Sequence, residues 1–157
     1  MQTFLPYKSF RKTALCLDNK RLGKQRVETL QILRALTGYY NQSGAWLNHP
    51  AVKMWRGYEA NLVDYGLEIC QEWGKRGFAD SCYDKIASFN ALFVKKSEPP
   101  FLGCQRFHDS HKSNLLRKNS HYYGQFTWHV SKNLPYFWPV ASYLTSLDFS
   151  YIILTLI

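Results

Sequence analysis

The sequence is short of acidic residues: 11 Asp and Glu stand against 20 Lys and Arg, for a formal net charge of +9. A deficit of that size points to a polyanionic partner. Cysteine is sparse and scattered, with four residues (Cys16, Cys70, Cys82 and Cys104) and no CxxC pair. No signal-peptide pattern opens the chain, because Phe4, Leu5 and Pro6 lead straight into charged residues. Free, buried thiols in a reducing, cytoplasmic setting are therefore expected in place of disulfides. Long apolar runs are also missing. The tail over residues 146–157 (SLDFSYIILTLI) is apolar but only about half the ~20 residues a spanning helix needs. It reads as a docked or interacting tail, and no membrane span is expected. There is no internal repeat, no low-complexity tract and no period-two alternation of the kind strands show.

What remains fits an all-α protein. At 157 residues with 46% hydrophobic and 20% charged residues, the chain suits one compact helical domain over 1–157. An extended start, held by Pro6, precedes a long basic first helix over 14–36, with Thr13 as its cap and Gly38 as its stop. Leu15, Leu22, Leu30, Leu33 and Leu36 make its apolar arc. A second helix is expected over 50–75, with Pro50 in its first turn, Gly77 beyond its end, and Trp55, Tyr58, Leu62, Tyr65, Ile69 and Trp73 as its buried face. A shorter helix over 84–94, a partly helical segment over 104–118 and one last helix complete the fold.

The positive charge is segmented. Residues 8–34 carry eight Lys and Arg against Asp18 and Glu28, and residues 101–135 carry five against Asp109. Both segments suit phosphate backbones, as in double-stranded DNA, although a solvated basic surface has the same composition. Aromatic residues at 17% fill cores and also stack on bases, so they do not choose between these readings.

Three constellations stand out. On the first helix, Arg21, Lys24 and Glu28 share a stripe opposite the apolar arc, with Arg21 and Glu28 about 20° apart in projection. A carboxylate flanked by cations suits stabilisation of developing positive charge. The plainer alternative is a surface ion pair worth about 0.3–0.5 kcal/mol. Arg26 falls inside the apolar arc, so it is either partly buried with a partner or marks a face open to ligand. Cys104, His108 and His111 share a helical face at zinc-ligand spacing but lack a fourth marked ligand, so no metal or cofactor is expected. The two histidines fit the edge of a groove that contacts phosphate. Finally, Asn114, Arg117, Lys118 and Tyr122, in SNLLRK and HYYG, suit a strip that grips a backbone and stacks on sugar or base. The same residues also suit a helix end whose cations complement its dipole. Trp46, ahead of the second helix, offers a further stacking wall or a structural tryptophan.

Taken together, MQTFLP, LDNKRLGKQRVETLQILRAL, NHPAVKMWRGYE and FHDSHKSNLLRKNSHYYG resemble the bacterial and phage proteins grouped with the pyrimidine-dimer DNA glycosylases. The resemblance implies a DNA glycosylase with AP-lyase chemistry, in which an N-terminal α-amine attacks C1′ of a damaged nucleotide. Carried over by position, Met1 supplies the amine and Glu28 the acid–base or charge-stabilising carboxylate, with Arg21, Arg26, Arg117 and Lys118 on phosphates. An α-amine, with a usual pKa of ~7.7–8.0, is partly neutral at cellular pH and so nucleophilic. Gln2 is too bulky to permit removal of the initiator Met, and it stands where the resemblance places an arginine. The other reading is a nucleic-acid-binding module on the same scaffold, without catalysis. Neither reading requires an obligate protein partner.

Overall fold

A computed structural model describes residues 1–39, 45–94 and 97–139 of the chain. The apolar tail over 146–157, the last expected helix and the Trp46 side chain lie outside what it describes. Among the described residues there are helices and no strands. They are α1 (Phe10–Cys16), α2 (Asn19–Leu36), α3 (Pro50–Trp55), α4 (Glu59–Lys75), α5 (Tyr83–Ala87), α6 (Gln105–Lys118) and α7 (Ser120–Tyr123). Short 3₁₀ turns occupy Ala45–Asn48, Ser88–Ala91 and Gly124–Phe126. None of these helices is long and apolar enough to cross a membrane.

The long first helix expected over 14–36 is two helices. Ser9, not Thr13, caps α1, its side chain accepting from Lys12 N–H at 3.2 Å. Asp18 turns extended and caps α2, accepting from Arg21 N–H at 2.8 Å. An aspartate that can satisfy a free N–H starts a new helix here, even though the apolar pattern runs across the break. Leu15 consequently leaves the apolar arc and is 51% exposed. Of the carbonyls that end α1, Ala14 accepts from Leu17 N–H, and Arg76 gathers it together with the next ones. Its guanidinium donates to Ala14, Leu15 and Leu17 carbonyls and to Asn19 Oδ1, while Glu72 holds it at 2.8 Å.

The second expected helix is likewise broken, at Arg56–Gly57–Tyr58. Gly57 has φ of +86°, a conformation open to glycine and costly to other residues. Its buried face holds as read, with Trp55, Leu62, Tyr65 and Ile69 fully buried and Tyr58 and Trp73 half-buried. α4 lies closely along α2. A Cβ on Gly66 would sit 2.7 Å from Thr29 Cγ2, so hydrogen at that position is what lets the two helices meet.

Residues 2–6 lie outside any helix and are buried throughout. A buried segment outside any helix or sheet must find partners for its polar groups among side chains, and four helices supply them. Gln25 of α2 accepts from Phe4 N–H at 2.9 Å. Trp55 of α3 donates to Thr3 Oγ1 at 2.9 Å. The Tyr65 hydroxyl of α4 reaches the Phe4 carbonyl at 3.0 Å and Gln25 Oε1 at 2.8 Å. His108 of α6 donates from Nδ1 to the Leu5 carbonyl at 2.8 Å. The core is built around this N-terminal segment, and its course sets where the chain's first atom lies.

Candidate active site

The N-terminal segment delivers the Met1 amine to α2. The amine nitrogen stands 3.9 Å from Glu28 Oε1, with the Met1 side chain 1% exposed and the Glu28 side chain 9% exposed. Lys24 Nζ approaches the same oxygen at 3.6 Å from the solvent side. The other carboxylate oxygen, Oε2, accepts from Gln25 Nε2 at 2.8 Å. Gln25 is thus the joint of the site. Its amide oxygen holds the N-terminal segment, and its amide nitrogen holds Glu28. Sequence reading placed Glu28 opposite the buried face, yet it is buried, because Gln25 and the segment cover it. Gln25 was missed, although a polar residue one turn from Leu22 on the core-facing side was a signal available in the sequence.

Met1 and Glu28 lie in a cavity of about 430 Å³ whose further lining includes Gln2, Lys20, Arg21, Lys24, Lys118 and Tyr136. Four cationic side chains therefore surround one carboxylate and one amine, a charge balance that attracts phosphate. Arg21 is partly committed: it pairs with Asp18 at 3.0 Å and donates to the Lys118 carbonyl at 3.2 Å. That second bond ties α2 to the end of α6 and brings the two basic segments of the sequence to one rim. Tyr136 closes the inner wall. Burial pushes its phenol up to about 12, with the Arg117 cation acting downward and the Glu28 charge upward. His49 lies near the same corner, its imidazole lowered chiefly by burial and further by the terminal ammonium.

Other residues singled out from the sequence lie elsewhere. Arg26 stacks on Trp73 at 4.4 Å and is paired with Asp80, with only 11% of its side chain exposed, so it is an internal cation joining α2, α4 and the loop before α5. His108 and His111 are buried inside α6 and do not edge a groove. His108 accepts from Gly103 N–H on Nε2 and donates from Nδ1, which fixes a neutral ring, and burial lowers its pKa. With both nitrogens engaged it cannot join Cys104 and His111 as a metal ligand, and no group of three or more such side chains is placed to hold a metal among the described residues. His111 packs between Phe4, Phe107 and Tyr136, and burial lowers it to about 3. Asn114 is buried, donating to the Ser110 carbonyl at 2.8 Å and accepting from Arg117. Arg117 and Lys118 are exposed at the helix end, and Tyr122 is half-buried against Tyr123 and Phe126.

The family model described as pyrimidine dimer DNA glycosylase matches residues 1–86, more than half of the chain. The chain belongs to this family. The match takes in the N-terminal segment, Arg21, Lys24, Gln25 and Glu28; Arg117, Lys118 and Tyr136 lie beyond it. Comparison with curated proteins and with solved structures gives no match. As a pyrimidine-dimer DNA glycosylase by family, the protein acts on DNA, and its helical scaffold presents a cationic cavity suited to that substrate.

Proposed function

We propose that the protein is a DNA glycosylase with associated AP-lyase activity on damaged or modified bases in duplex DNA. Its nucleophile is the Met1 α-amine and its essential carboxylate is Glu28. The observation that supports this most is the 3.9 Å approach of the amine to a buried carboxylate at the floor of a cationic cavity. In the reaction the neutral amine adds to C1′ as the C1′–N bond to the base breaks. The base takes the bonding electrons and a proton, and in a dimer it stays joined to the neighbouring pyrimidine through the cyclobutane ring. Opening of the sugar ring places an iminium between the amine nitrogen and C1′. Loss of a C2′ proton then expels the 3′ phosphate oxygen and nicks the strand, and water hydrolyses the imine to return the amine. Glu28 balances the positive charge that grows at C1′ and exchanges protons there. Lys20, Arg21, Lys24, Arg117 and Lys118 hold phosphates on either side, and Tyr122 packs against sugar or base.

The test is direct. A duplex with one abasic site should be nicked, and a duplex with one cis-syn thymine dimer should have one glycosyl bond of the dimer broken, that thymine staying joined to its neighbour through the cyclobutane ring, and then be nicked, without added metal. Salt-sensitive binding with no nicking of either duplex would leave a DNA-binding module that lacks the chemistry.

A further inference from the structure

A second cavity lies where the N-terminal segment leaves the core. It has a volume of about 610 Å³, Tyr7, Lys8, Phe10, Lys12, Asn61 and Glu98 are among its walls, and it shares no lining residue with the cavity around Met1. That volume is within the range that holds small organic ligands. Asn61, in the first turn of α4, is its buried polar residue, 4% exposed. No hydrogen bond among the described residues engages the Asn61 side-chain amide, whereas the buried amides of Gln25 and Asn114 are both bonded. A buried amide left unpaired is costly, and such groups are rare unless something else completes them. Tyr7 and Phe10 are half-buried and supply aromatic surface. At the mouth Lys8 and Lys12 are exposed, and Lys8 meets Glu98 at 2.8 Å with side chains 57% and 54% exposed. An exposed pair of this kind is worth about 0–1 kcal/mol, so an incoming phosphate displaces the carboxylate at little cost.

We infer that this cavity is a second nucleotide site, which takes one nucleoside 5′-monophosphate with its base inward and its phosphate at the mouth. A primary amide presents a donor and an acceptor side by side, and adenine presents the complement in its amino group and N7. Tyr7 and Phe10 pack against the ring, and Lys8 and Lys12 meet the phosphate with charge-assisted bonds. Buried amide, aromatic wall and exposed cations follow the nucleotide's own order of base, sugar and phosphate. Inorganic phosphate would use the lysines and leave Asn61 unpaired, and an apolar molecule would leave both unused. A free nucleotide and an unpaired nucleotide within a strand offer the same chemistry. The site stands apart from the catalytic cavity, so the inference does not depend on the glycosylase reading.

The test is titration of the whole protein with dAMP, with inorganic phosphate and with a short single-stranded oligodeoxyadenylate, followed by calorimetry and by the NMR signal of the Asn61 side-chain amide. Saturable dAMP binding that moves the Asn61 signal is expected, with inorganic phosphate weaker by roughly tenfold or more. Asn61→Leu keeps the size of the side chain and removes the amide, and should weaken dAMP by roughly tenfold. Lys12→Ala should weaken it severalfold, more so at low salt. A Tm close to that of the wild-type protein shows that Asn61→Leu is folded; if it does not fold, the wild-type Asn61 signal and Lys12→Ala carry the test. An oligonucleotide that moves the same signal at lower concentration than dAMP assigns the site to a strand, and one that does not assigns it to free nucleotide. The inference is overturned if dAMP does not bind, if it binds without moving the Asn61 signal, if phosphate alone binds as well, or if Asn61→Leu binds dAMP unchanged.

Discussion

Glu28 is held by the residue one turn before it. Gln25 occupies Oε2 and leaves Oε1 to face the Met1 amine, so orientation and reach are set by the same fully buried amide. Replacing the carboxylate with an amide of equal shape keeps the packing and removes the charge. Glu28→Gln should therefore lower single-turnover cleavage at least a hundredfold, the low end of what positioned acid–base groups contribute. Duplex affinity should hold or rise slightly, since one negative charge leaves a cationic cavity. Normal turnover by Glu28→Gln, measured beside its binding isotherm, would remove the residue from the mechanism. His111 makes a second prediction. Its folded pKa is depressed from 6.5 to about 3 by burial, so the folded ring stays neutral where the unfolded ring is protonated. Stability from this residue is complete above pH 6.5 and is lost as pH falls from there toward 3. The slope is about 1.4 kcal/mol per pH unit for one proton. His108 is lowered in the same sense. The Tm of His111→Phe should fall less with acidification than that of the wild-type protein; parallel Tm curves from pH 7 to 4 would contradict this.

At the scale of elements, the fold depends on close approach. Ala at Gly66 would gain up to about 1 kcal/mol of helix propensity, yet its Cβ would lie 2.7 Å from Thr29 and 3.1 Å from Ile86 side-chain carbons. Thr29 is β-branched and fully buried, so it cannot swing away, and the clash should win by about 1–2 kcal/mol. Gly66→Ala should lower Tm by several degrees, and an unchanged Tm would show that the α2–α4 contact has slack. The helical class, the buried face of α3 and α4 and the helix over α6 were all legible from spacing. The break at Asp18 was not, because Leu15 and Leu22 continue one apolar rhythm across it, and only the capping bond from Arg21 N–H reveals two axes. α6 was misread in the opposite way. Ser113 and Asn114 look like part of a surface strip, but each is buried with a backbone partner, Asn114 on Ser110 and Ser113 on Leu134. Polarity in a sequence records the need for hydrogen bonds, and it does not say whether water or backbone meets that need. Met1, Arg21, Lys24 and Glu28, singled out from the sequence, line one cavity, while Gln25 and Arg76, whose partners are distant in sequence, were not found.

Across the whole molecule, the charge that is divided in sequence is joined in space. Arg21 bonding to the Lys118 carbonyl brings the segment around α2 to the end of α6, beside the amine and Glu28. Five or so cations acting on phosphates should make log affinity for a duplex fall with log salt at a slope of about −4 to −5. Titrations from 50 to 200 mM salt should show it, and flat affinity would argue against a phosphate-binding rim. The remaining question is which nitrogen attacks. Lys20 and Lys24 line the same cavity as Met1 and are the rivals, but a lysine must be brought down from a usual pKa of ~10.4 before it attacks well at neutral pH, and an α-amine need not be. The measurement that decides is borohydride trapping on a duplex with one abasic site, followed by digestion and mass mapping of the adduct. The account predicts one covalent adduct on the peptide beginning at Met1, lost when the N-terminus is acetylated and kept in Lys20→Ala and Lys24→Ala. An adduct mapped to a lysine, or no adduct at all, would contradict it.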